Sequence, residues 1–62
     1  MNPPFSVDAL EVLVRATELH KLNFGAQAHI RAVSVTIAKL GHAKEVLPDH
    51  MHEAMQYRVR GV

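Results

Sequence analysis

The residues with the widest chemical reach in this 62-residue chain are its five histidines. Two of them fall in the run Asp49-His50-Met51-His52-Glu53, where His50 and Glu53 stand three apart and would share a helix face. His42 could approach the same place from upstream. Zinc is the ion such donors suit, but it needs three or four ligands converging at about 2.0–2.2 Å with their outer partners oriented. Only His50, Glu53 and His42 present themselves, with no HExxH and no paired ExxH spacing. Neither a metal nor a cofactor is expected. His20 and His29 flank a turn, and a helical hairpin would bring them together as a pair sensitive to pH or metal. The commoner use of such histidines is a hydrogen bond to a backbone carbonyl.

Covalent catalysis has little to work with. Cysteine is absent, and the hydroxyls are Ser6, Thr17, Ser34, Thr36 and Tyr57. Ser6 suits a helix cap, while Ser34 and Thr36 suit packed helices. The acids Asp8, Glu11 and Glu18 share one helical edge with Arg15, so Glu11 and Arg15 form an ordinary i,i+4 pair rather than a matched acid and base. No glycine-rich phosphate loop is present, and a chain this short has difficulty enclosing a pocket of several hundred Å³. No enzyme is expected.

Nucleic-acid binding by a helix-turn-helix fails on its own template. Aligning Gly25 with the turn glycine puts Lys21 and Arg31 in core slots. Aligning Gly41 puts bulky Ile37 where a small residue belongs and Pro48 inside the recognition helix. A different mode rests on Arg31, Lys39 and Lys44, which against Glu45 leave residues 23–46 with a net charge of +2. The whole chain carries seven basic and six acidic residues, net +1, far from the excess of a non-specific binder.

The elements that would position these groups are helical. Apolar residues make up 48% of the chain, only three residues are aromatic, and the rest of the apolar stock is mostly aliphatic. Pro3 and Pro4 keep residues 1–5 extended. Ser6 caps a first helix over about 7–22, with Asp8 favoured near its N-terminus and Phe5 and Leu10 at hydrophobic-staple spacing. Asn23 and Gly25, both tolerant of left-handed backbone, punctuate the chain. A second helix is expected from Gly25 or Ala26 to Val46, with Gly41 a weak point. Pro48 opens a third, shorter helix to about Arg58, and residues 59–62 are expected to fray.

Helical geometry adds a mismatch. The first helix confines Asp8, Glu11, Arg15 and Glu18 to a narrow wedge and is mostly apolar elsewhere, through Val7, Ala9, Leu10, Val12, Leu13, Val14, Ala16 and Leu19. A helix lying on a single neighbour needs an apolar stripe of little more than about 100°, and this one has roughly twice that. The second helix carries a seam of Ala26, Ile30, Val33, Ile37 and Leu40 at alternating spacings of four and three. Two helices joined by a short turn ordinarily pack antiparallel. The predicted fold is therefore all-α: a helical hairpin plus a short third helix, completing a four-helix-type bundle as a homodimer. Leu10, Leu13, Val14, Ile30, Val33, Ile37 and Leu40 would form its core and interface. The competing architecture is a lone three-helix bundle, closed by Met51, Ala54, Met55 and Val59.

What these exclusions leave is protein recognition. The expected function is that of a small cytoplasmic, non-catalytic regulator, an inhibitor, anti-activator or co-chaperone. It would act as a homodimer and bind an unidentified protein through exposed helix faces. Met51, Met55, Tyr57 and Arg58 are the adaptable side chains that would meet that partner. The alternative is a dimeric nucleic-acid-binding regulator using Arg31, Lys39 and Lys44 on the 31–44 face. Helical-hairpin dimers of this size occur among plasmid and phage regulators, an architectural analogy only.

Overall fold

Local signals start each helix close to where the sequence places it. In the computed structural model, which describes residues 2–60 with side chains through residue 57, the elements are α1 (Val7–His20), α2 (Phe24–Leu40) and α3 (Pro48–Arg60). Ser6 is extended, and its Oγ accepts from the Ala9 N–H at 3.0 Å. It thereby satisfies one of the free donors of the first turn of α1. Asn23 does the same for α2, its Oδ1 accepting from the Ala26 N–H at 2.8 Å. That cap moves the start of α2 back to Phe24. Gly25 lies inside the helix, and no described glycine has positive φ.

The left-handed positions belong instead to Lys21 (φ 51°) and His42 (φ 57°). Each reverses the chain after a helix. The Leu22 N–H reaches the Thr17 carbonyl at 3.1 Å, and the Ala43 N–H reaches the Ala38 carbonyl at 2.9 Å. Both are the six-to-one bond of a Schellman ending.

The expected continuation of α2 to Val46 does not occur; the helix ends at Leu40. After the reversal at His42, residues 43–47 run against the N-terminal leader. The Val46 N–H donates to the Pro4 carbonyl at 2.8 Å, and the Ser6 N–H donates to the Val46 carbonyl at 3.0 Å, a single parallel bridge between Phe5 and Val46. The helix closes at its Gly41 cap and the His42 reversal, and the backbone pairing with the leader takes up residue 46 in its place, with Val46 completely buried.

Leu47 stands at the cap of α3. Its carbonyl accepts from His50 and Met51, and its N–H donates to His50 Nδ1 at 2.9 Å. A side chain three residues into a helix reaching back to the capping N–H is half of a capping box, filled here by histidine. The helix runs to Arg60, two residues past the expected end; the predicted tail at 61–62 and the Arg58 side chain lie outside the described residues.

Tertiary packing departs from the predicted hairpin. α3 packs against both α2 and α1, whereas α1 and α2 meet only marginally. The short link at residues 21–23 holds the helix ends close but does not oblige the helices to lie along one another. The apolar side of α3, with Met51 and Ala54 fully buried and Met55 half-buried, takes up the inward faces of both. On α2 the buried ridge is Ala26, Ile30, Ser34 and Ala38, at strict i,i+4 spacing. Its small residues allow α3 to approach closely, and the buried Ser34 hydroxyl is satisfied by donating to the Arg31 carbonyl at 2.8 Å. From α1 the core receives Ala9, Leu13 and Ala16.

The radius of gyration, 10.7 Å, is close to the roughly 10.6 Å expected for a folded chain of this length. One protomer thus collapses as three helices around α3. The all-α class stands. No helix among the described residues is long and apolar enough to cross a membrane.

Candidate interaction surface

The histidines take separate places. His50 is engaged at the cap of α3, His42 makes the reversal after α2, and His20, His29 and His52 are exposed. No three metal-ligating side chains come together among the described residues, so His50, Glu53 and His42 are not brought together. The suggested His20–His29 pairing also lacks its scaffold, because α1 and α2 do not pack along one another.

The predicted interface residues divide. Leu13 and Ile30 are buried, while Val33 and Ile37 are half-buried against the core. Leu10, Val14 and Leu40 face outward. On α1 the outward residues form a stripe, with Val7 at 76%, Leu10 at 45% and Val14 at 57% relative exposure. Their spacings of three and four put them on one side of the helix. The reason they stay open is positional: α3 covers the Ala9–Leu13–Ala16 side, one helix cannot cover the remaining arc, and α2 stands too far away. Glu11 lies between Val7 and Val14 in the helical net, and Glu18 lies one turn beyond Val14. The stripe therefore has an acidic edge. At its inner border the Thr17 Oγ1 is buried without a hydrogen-bond partner.

α2 presents a different outer face. Phe24 is 81% exposed, and Ala28 and Ala32 follow it at i,i+4 spacing, both exposed, beside half-buried Val35. Arg31 and Lys39 flank this face, and α2 contains no acid. Between it and the leader lies a shallow open depression of about 450 Å³, floored by Phe5, Ala32 and Val35 with Arg31 and Lys39 at its edge. A second of about 460 Å³ shares Asn2 and Lys39 and continues past His42 to Lys44. The three cations of the nucleic-acid alternative thus border two adjoining depressions, neither lined by an acid. Lys39 Nζ donates weakly to Asn2 Oδ1 at 3.3 Å.

The residues expected to meet a partner fare unevenly. Met51 is wholly buried in the protomer, which removes it as a contact; it fills the space between α1 and α2. Met55 is half-buried against the same core, and Tyr57 is exposed. The outward Phe24 and Val7 and the core residues Val46, Ala9 and Ala38 fall outside the expected core, interface and partner sets, although helical period puts Val7 and Ala9 on the apolar arc of the first helix. Ala38 had a signal, its i,i+4 spacing from small Ser34. Val46 had none, since its partner is the leader. Comparison with family models, curated proteins and solved structures finds no match, leaving the geometry as the basis for a functional reading.

Proposed function

We propose that this chain is a small non-catalytic regulatory module that associates with itself and binds another protein through outward helix faces. The observation that carries the reading is the open stripe of Val7, Leu10 and Val14 on a well-capped, regular helix. A contiguous apolar strip that the chain does not cover is the usual mark of an interaction surface. Outward Phe24, Leu40 and Tyr57 extend the apolar stock available for contact. Regulation as an inhibitor, anti-activator or co-chaperone is the mode such surfaces suit: the module acts by occupying a partner's surface. Buried area of about 800 Å² per side is enough for a standard interface, and the protein exposes 4635 Å² in all.

The test has two parts. Sedimentation equilibrium across a wide concentration range should show a protomer giving way to a larger species. Tagged protein should recover one stoichiometric partner that a Val14→Asp variant of equal helicity no longer retains. A lone protomer throughout, together with identical recoveries from the two baits, counts against the reading. A second reading, nucleic-acid binding, is favoured by the run of Arg31, Lys39 and Lys44 along depressions free of acids. It predicts an oligonucleotide complex that weakens steeply with salt.

A further inference from the structure

Two helices of this chain complement each other in charge yet hardly touch within the protomer. α1 carries Asp8, Glu11 and Glu18 against Arg15, and two of those acids border its uncovered apolar stripe. α2 carries Arg31 and Lys39 and no acid, and these cations line the mixed depression that also takes in Phe5, Ala32 and Val35. α3 packs on both helices while they meet each other only marginally, so this complementarity goes unused inside one protomer.

We propose that the open face of α1 docks onto the outer face of α2 in a second copy of the chain. Leu10 and Val14 enter the depression beside Ala32 and Val35, where the small side chain of Ala32 lets a helix approach closely. Glu11 and Glu18 then meet Arg31 and Lys39. The spacing suits the pairing: at 1.5 Å rise per residue, Glu11 and Glu18 are roughly 10 Å apart along α1, and Arg31 and Lys39 roughly 12 Å apart along α2. Two copies of α1 laid against each other would bring four glutamates against two Arg15 cations, a poorer charge match than α1 against acid-free α2. Because the two surfaces differ, the contact is heterologous. It closes as a dimer only if both α1–α2 contacts form at once, and otherwise it propagates. The inference rests on the self-association proposed above and names the surfaces that carry it.

Charge exchange tests it on the full chain. Sedimentation equilibrium is run on the parent chain, on Glu11→Lys/Glu18→Lys, on Arg31→Glu/Lys39→Glu, and on an equimolar mixture of the two variants. Circular dichroism checks that both variants are helical, and the single variants Glu18→Lys and Lys39→Glu stand in should either double variant unfold. Each variant alone should associate at least about tenfold more weakly than the parent, since like charges then face each other. The mixture, in which both contacts regain opposite charges, should recover the parent's association. Parent and variants associating equally well would overturn the choice of faces while leaving self-association intact, as would a mixture that fails to recover. A parent chain that stays a lone protomer up to millimolar concentration removes self-association and the inference together. A lone protomer that binds a labelled single-stranded RNA through Arg31 and Lys39 assigns those cations to phosphate, and also overturns the proposal.

Discussion

α3 and α1 make opposite use of similar apolar material. α3 lies against two helices, and its apolar residues from Met51 through Met55 are buried or half-buried. α1 lies against one helix and keeps Val7, Leu10, Val14 and Leu19 at the surface. Intrinsic hydrophobicity does not explain the contrast, since α3 is the less apolar helix by mean hydropathy. Position does. A residue's contribution depends on how many neighbouring elements can close over it, so the less greasy helix becomes the centre of the core.

That contrast can be broken most forcefully at Met51. Met51→Ala should destabilise the protomer by about 2–5 kcal/mol, combining lost transfer energy with a cavity. In so small a domain, where the core rarely supplies more than about 3–5 kcal/mol, this approaches the whole stability. Urea denaturation at low protein concentration reads it. A change below about 1 kcal/mol would mean that Met51 is not the keystone its burial suggests.

Thr17→Val sharpens the comparison from the other side. It replaces a buried hydroxyl that has no partner in the protomer with a side chain of nearly the same shape. A gain of about 1 kcal/mol is expected, because the unmade hydrogen bond no longer costs desolvation. A loss of similar size would mean the hydroxyl does find a partner in solution, as a bond to a second copy would provide.

At the two left-handed positions glycine should help modestly. Lys21→Gly and His42→Gly are each expected to raise stability by about 0.5–1 kcal/mol, since a Cβ there strains the backbone. Calorimetric melting temperatures check this, and a fall in either variant would show that the side chain contributes contacts outweighing the strain. The smallest effect belongs to the open stripe. Val14→Ser should change stability by no more than about 0.5 kcal/mol in dilute protein, because the side chain is already largely hydrated. Its melting temperature should also lose its dependence on protein concentration. A large loss in dilute protein would place Val14 in the core after all.

Much of this protein was determined by the sequence alone, because the forces concerned act over three or four residues. Ser6 and Pro48 mark helix starts by satisfying or removing backbone donors within a single turn, and Asn23, legible only as a turn residue, caps α2 by the same local chemistry. The surplus apolar arc of α1 is equally legible, since helical period places Leu10 and Val14 away from Ala9 and Leu13. Tertiary structure alone decided which neighbour closes over which face. Gly41 marks the weak point after Leu40 locally, but the path of residues 43–47 depends on Val46 bonding to Pro4 and Ser6, and the centrality of Met51 depends on α3 reaching both other helices. Such contacts join residues far apart along the chain, where neither period nor capping chemistry leaves a trace, so they are settled only by competition among packings of the whole chain.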